Sequence, residues 1–201
     1  WTYDNIAPTM TITASGASGV ISSADTTNDS LITVTFTSSE ATSNFALADI
    51  TVSGGSLTNF VSADAKVYTA IFTPNDSTGT ATSCTIDVAA IKFTDIVTNA
   101  NSAATQFQWT CDQVLPTLAI TATVTSGAVS SGSTTNDDNL TLTFTSSKAT
   151  TTFTELADIT VSGGELSAFT ASSSTIYTAV FSPTAVTDEG TYTITVAAGK
   201  I

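Results

Sequence analysis

The chain has 201 residues, with 17 Asp or Glu against 4 Lys, no Arg and no His, and a net charge of −13. Such a chain cannot neutralise a run of phosphates, which excludes nucleic acid as a partner, and it has no imidazole for general-base catalysis or metal ligation. Its 44 Thr and 26 Ser, beside an apolar fraction of 41%, suit pleated half-buried strands better than a disordered Ser/Thr tract. In chain order, strands are predicted near 9–14, 31–37, 48–53, 57–61, 66–73, 82–90 and 104–111, each with period-2 alternation and bounded by Gly, Asn, Asp, Ser or Pro. Within 31–37, Ile32, Val34 and Phe36 share one face and Leu31, Thr33, Thr35 and Thr37 the other, so the first set is expected in the core. Gly54-Gly55 is expected to make a tight reversal. No window shows a 3.6-residue period, so helix should be negligible, and no apolar run is long enough to cross a bilayer as a helix.

The chain repeats itself at an offset of 108. WTYDNIAPT at 1–9 returns as WTCDQVLPT at 109–117, and TTND at 26–29 returns at 134–137. LITVTFTSSEAT ending at Thr42 matches NLTLTFTSSKAT ending at Thr150, which places Leu140, Leu142 and Phe144 inward and Lys148 over Glu40. ADITVSGG at 48–55 returns at 157–164, VYTAIFTP at 67–74 returns as IYTAVFSP at 176–183, and TIDVAAIK at 85–92 as TITVAAGK at 193–200. Motifs in one order at one spacing define a tandem repeat. Seven short strands per copy indicate two β-sandwiches, at 8–111 and 116–201. The linker 112–115 is closed by Pro116, which holds Leu115 extended, so a short stiff joint and an extended rod are expected.

No counterpart of residues 94–108 follows Ile201, so the second sandwich is expected to lack its final strand. Residues 1–7 then represent the end of a preceding domain's last strand or a donor strand. Trp1, Thr2, Tyr3 and Asp4 are its candidate intersubunit residues.

The succession WTYDNIAPT, TNDSLITVTFTSSEAT, ADITVSGGSLTNF, VYTAIFTP, IDVAAIKFTDIVTNAN and QWTCD resembles the bacterial immunoglobulin-like domains that occur in tandem in surface adhesins and extracellular filaments. The resemblance spans nearly the whole chain, twice. It implies an all-β fold of tandem immunoglobulin-like sandwiches, used outside the cell or at its surface as spacer, stalk or filament element and in some cases stiffened by calcium at domain junctions. The two Cys residues, and Lys148 in place of an acid, depart from the family pattern.

Cys84 and Cys111 fall on the last two strands of the first copy. If those strands form a hairpin in which facing residue numbers sum to 195, the two are opposite each other, and a disulfide and two buried free thiols are the alternatives. Asp95, Asn99 and Asn101 form an oxygen-rich loop, and Asp4 and Asp112 flank the junctions; together they are candidates for calcium, which takes six to eight oxygen ligands. Their spacing matches no dedicated loop, and solvated turns are the competing reading. Asp49 and Asp158 are expected to cap turns. Lys92 and Lys200 recur near acid-bearing strands and are read as surface lysines. Asn28, Asn75 and Asn139 begin N-x-S/T sequons and are the glycosylation candidates. No G-x-S-x-G elbow and no usual base are present to activate a Ser, so no enzyme is expected. The preferred reading is a non-catalytic structural segment that joins copies of itself or neighbouring repeats by chain continuation or strand addition. The alternative is a glycan- or protein-binding adhesin module with calcium-stabilised loops, which would show exposed aromatics in its loops.

Overall fold

The computed structural model describes residues 3–75, 80–154, 156–184 and 190–201. It divides into two units, Trp1–Val114 and Leu115–Ile201. The first contains β1 (Met10–Gly16), β2 (Gly19–Ile21), β3 (Thr26–Thr27), β4 (Ile32–Ser38), β5 (Ile50–Ser53), β6 (Gly55–Ser62), β7 (Val67–Pro74), β8 (Thr82–Val88) and β9 (Phe107–Cys111). One sheet has the order β2-β1-β4-β7-β6 and the other β3-β9-β8-β5. Alternation places the core as expected: Ile32, Val34 and Phe36 are buried, while Leu31 faces solvent. Opposite them, β8 contributes Cys84, Ile86 and Val88, and β9 contributes Trp109 and Cys111, to the same hydrophobic cluster. Helix is confined, among the described residues, to single 3-10 turns at Leu47–Asp49 and Leu156–Asp158.

Three features depart from the sequence-based expectations. Gly54-Gly55 is not a hairpin reversal, because β5 pairs with β8 in one sheet and β6 with β7 in the other. Gly54, at φ +73°, is where the chain crosses between sheets. The β8–β9 hairpin is antiparallel but pairs Cys84 with Trp109 and Thr82 with Cys111, so facing numbers sum to 193 and the two Cys are diagonal neighbours rather than opposite. Finally, β2 and β3 went unforeseen: at three and two residues they are too short to show alternation, and β3 pairs in parallel with β9, a contact between segments far apart in sequence.

The second unit contains β10 (Leu118–Val124), β11 (Gly127–Val129), β12 (Leu140–Ser146), β13 (Ile159–Ser162), β14 (Gly164–Ala171), β15 (Ile176–Pro183) and β16 (Thr193–Val196). Its larger sheet, β11-β10-β12-β15-β14, reproduces the first unit strand for strand, down to the bulge in β14 at Ala168 that matches the one in β6 at Asn59. The other sheet consists, among the described residues, of β13 and β16 alone. Where Cys84, Ile86 and Val88 are buried in unit 1, their counterparts Tyr192, Ile194 and Val196 are half-buried. Tyr192 leans over Phe181, with ring centroids 5.8 Å apart. It takes up part of the place that Trp109 occupies against Phe72 in the first unit, at 4.8 Å.

The two crossover glycines respond differently to a side chain. A Cβ on Gly54 would lie 2.3 Å from the Ser83 carbonyl oxygen, which is backbone, whereas one on Gly163 (φ +74°) would meet the ring of Tyr192, a side chain that can turn away. Gly54→Ala is therefore expected to destabilise unit 1 by about 3 kcal/mol, backbone strain plus overlap, and Gly163→Ala to destabilise unit 2 by about 1 kcal/mol, the left-handed backbone term. Calorimetric unfolding of each variant against the parent chain reads both; equal losses would contradict the assignment.

Candidate functional site

One group of carboxylates comes together in unit 1. Asp4, Glu40 and Asp95 each offer a carboxylate oxygen, and these oxygens all lie within 4.8 Å of one another. Glu40 follows the end of β4 and Asp95 sits in the segment after β8, so the site is formed where both sheets' connections meet the residues leading into β1. Asp95 is buried and organises its own loop. Its Oδ1 accepts the N–H of Val97 (2.9 Å) and of Asn99 (2.8 Å), and its Oδ2 accepts the Asn99 amide (2.8 Å). The same Asn99 amide also reaches the Asp4 carbonyl at 3.4 Å.

The three acids are not electrostatically equivalent. Burial, and then the negative charges of Asp4 and Asp95, push the Glu40 carboxyl above the usual carboxylate range. Burial also works against ionisation of Asp95, but hydrogen bonds from the Asn99 side chain and backbone, from Val97 and from Glu40 outweigh it and hold Asp95 below that range. The cluster thus has a built-in order of protonation: as pH falls, Glu40 takes up a proton before Asp95 does. These are also the residues that could hold a hard cation, since three carboxylates at this spacing offer the oxygen donors such an ion takes.

Asp95 and Asn99 thus lie together as the sequence grouped them, with Asp4 and Glu40. Asn101 has another task. Its Oδ1 accepts the N–H of Lys92 (2.7 Å) and Phe93 (2.9 Å), and its Nδ2 donates to the carbonyls of Ala89 (2.9 Å) and Ser102 (2.7 Å). All its capacity is spent on folding the connection between β8 and β9. Asp112 lies apart, beside β3: its N–H donates to Thr27 O at 2.8 Å and its Oδ1 accepts from Val114 at 3.2 Å. Tyr3 is exposed and lies outside any strand, as does Asp4, while Trp1 and Thr2 fall outside the described residues. Asn28, Asn75 and Asn139 are all exposed, and the rest of the Asn75 sequon lies outside the described residues. Asp49 caps its 3-10 turn by accepting the Ala46 N–H at 2.9 Å. Asp158 accepts from Thr154 and pairs with Lys200 at 3.3 Å.

One acid of consequence was not singled out from the sequence. Asp29, the last residue of TTND, is buried and clamps the β1–β2 hairpin. It accepts the Thr27 hydroxyl at 2.7 Å and both the N–H (3.2 Å) and the hydroxyl (3.1 Å) of Ser18. The Thr27 hydroxyl, opposed by burial and aided by Ser18, holds its carboxyl below the usual range. A Cβ at Gly16 would overlap this carboxylate, which accounts for glycine there. The recurrence of TTND at 134–137 was the available signal, and Thr135 does bond Asp137 in the second unit.

The family model of the bacterial Ig-like domain matches residues 4–110 and again 112–201. The chain belongs to the bacterial Ig-like domain family. Both the two-sheet architecture and the internal repeat agree with two such domains in tandem. No curated protein and no solved structure gives a match. Bacterial Ig-like domains commonly occur in surface proteins and are typically non-catalytic. Among the described residues no helix is long and apolar enough to cross a membrane.

The opposite shifts in the acid cluster have opposite consequences for stability. A raised folded-state value makes ionised Glu40 a liability above its ordinary value of 4.5, while the lowered values of Asp29 and Asp95 stabilise unit 1 above the ordinary Asp value of 3.8 and cease to as pH falls through the folded values. Glu40→Gln should raise the unfolding midpoint of unit 1 at neutral pH, with the gain vanishing in acid where Glu40 is protonated in both states. Asp95→Asn should lower it at neutral pH, with the difference closing in acid. Midpoints measured across a pH series check both signs.

Proposed function

We propose that this chain is a non-catalytic structural segment of an extracellular stalk, filament or adhesin, in which the short sheet of the second unit is completed by a strand of the β9 type from a neighbouring bacterial Ig-like repeat. The observation that carries this reading is the contrast between β8 and β16. In unit 1 the inward residues of β8 are sealed by Trp109 and Cys111 of β9; in unit 2 the equivalent Tyr192, Ile194 and Val196 are half-buried on a strand that, among the described residues, pairs along one edge only, with β13. Such an edge next to apolar surface is a template for strand addition.

Aromatic placement favours a structural role over glycan binding. Phe36, Phe72, Phe144, Phe181, Tyr68 and Tyr177 are buried in the two cores rather than displayed on loops. Tyr68 and Tyr177 each donate a hydroxyl to a turn carbonyl, of Thr42 at 2.9 Å and Thr150 at 3.0 Å, which ties them further to the fold. The acidic surface, with a net charge of −13, repels neighbouring copies laterally and keeps them apart at low ionic strength.

A synthetic peptide with the sequence of residues 104–112, carrying Ser at 111 to avoid thiol chemistry, tests the edge. The expected result is binding that raises the unfolding midpoint of unit 2 by several degrees and leaves unit 1 unchanged, with no effect from the same peptide carrying Trp109→Ser. Light scattering separates the sources of the strand: mass that grows with concentration indicates another copy, and a monomer that still binds peptide indicates a repeat in the same chain. A monomer that ignores the peptide defeats the proposal.

A further inference from the structure

We propose that Cys84 and Cys111 are joined by an intramolecular disulfide that forms while unit 1 folds and staples β9 to β8. Both side chains point into the core and both are essentially without solvent exposure, at 0% and 1%. Their sulfurs lie 3.0 Å apart, inside the roughly 3.5–4.0 Å of an ordinary heavy-atom contact. The two residues are diagonal neighbours, two positions out of register across the antiparallel pair, and their side chains lean toward each other to bring the sulfurs together.

The surroundings suit a disulfide as well as they suit thiols. Trp109, opposite Cys84 and two residues before Cys111 on the same face, donates its indole N–H to Cys111 Sγ at 3.0 Å, and a disulfide sulfur retains the lone pairs for that bond. Gly54 makes room on the other side: a Cβ there would stand 3.0 Å from Cys84 Sγ. As a thiol, Cys84 also has the carbonyls of Gly54 at 3.5 Å and Thr82 at 3.7 Å within reach, long weak contacts that a disulfide gives up at little cost. The equivalent of Cys84 in unit 2 is Tyr192, so the staple belongs to unit 1 alone.

Timing follows from the burial. Burial first, and then the adjacent Cys111, push the Cys84 thiol up to about 12, so the closed sandwich holds it protonated and out of reach of an oxidant. Exchange therefore takes place before β8 and β9 close. One cysteine thiolate attacks a small-molecule or protein disulfide, releasing one thiolate and leaving a mixed disulfide. The second cysteine thiolate then attacks the protein sulfur of that mixed disulfide and releases the other thiolate. Two protein thiols are oxidised, the external disulfide is reduced to two thiols, and the protons pass to them. The bond spans a separation of 27 residues and links the last strand of unit 1 to its neighbour, so tension transmitted through residues 112–114 reaches a covalent link rather than backbone hydrogen bonds alone. This inference rests on thiol geometry and stands independently of the strand-addition reading.

The test uses the whole chain, refolded either in a mixture of oxidised and reduced glutathione or in reductant, then alkylated in guanidinium and cut by a lysine-specific protease. Cleavage after Lys66, Lys92 and Lys148 separates the two cysteines into fragments 67–92 and 93–148. The expected result after oxidative refolding is that these fragments leave as one mass that reductant splits. The native oxidised protein should resist reductant until denaturant is added, and its unit 1 midpoint should exceed that of the reduced protein by on the order of 10 °C. Alkylation of both cysteines after oxidative refolding, or a covalent dimer, would overturn the proposal. Because the comparison is made on the unmutated chain, it does not depend on a variant folding.

Discussion

Everything in the first unit depends on the second sheet closing over the inward faces of β4 and β7, and that closure is made by the pairing of β8 with β9. Trp109 is the main agent. It is buried against Phe72 and brings roughly 4 kcal/mol of apolar burial to a single position. By comparison, the Lys200–Asp158 pair, whose lysine is open to solvent, contributes about 1 kcal/mol.

The second unit shows how the core adjusts. Tyr192 stands where the first unit has Cys84, and its ring reaches over Gly163 toward Phe181 while its hydroxyl donates to Thr184 O at 3.2 Å. A long side chain thus covers part of the surface that a strand covers in unit 1. The cover is partial because one ring cannot replace both the apolar area and the backbone hydrogen bonds of β9. The small Cys84, by contrast, is compatible with a sheet that continues to β9 and with a sulfur partner on it.

Polar groups in unit 1 hold the connections that strands alone would leave loose. Asn101 folds the segment between β8 and β9 with four hydrogen bonds, Asp95 folds the turn within it, and Asp29 fastens the β1–β2 hairpin. Burying Asp29 and Asp95 is tolerable because each accepts several donors. Glu40 is the exception, placed against two other acids, and the second unit has Lys148 at that position. The second copy keeps the strands and carries a different charge on the loop that follows β12.

The alternating segments were legible from sequence because period 2 is local: which of Ile32 and Thr33 turns inward follows from neighbours one or two residues away. The duplication was legible for the same reason. Sheet membership was not. Gly54-Gly55 resembles a hairpin turn, and only the pairing of β5 with β8 and of β6 with β7 makes it a crossover between sheets. Register was not legible either: a shift of two residues in the hairpin sum preserves every inward and outward assignment, so alternation cannot distinguish 195 from 193. Likewise the meeting of Asp4, Glu40 and Asp95 joins residues up to 91 positions apart, and the commitment of Asn101 to its own loop depends on how that loop packs. By itself, then, the sequence determined the strands, their faces and their repetition, which are properties of short spans. Only the tertiary structure decided which strands share a sheet, which sulfurs touch and which carboxylates gather, because each depends on long-range pairings that local pattern leaves open.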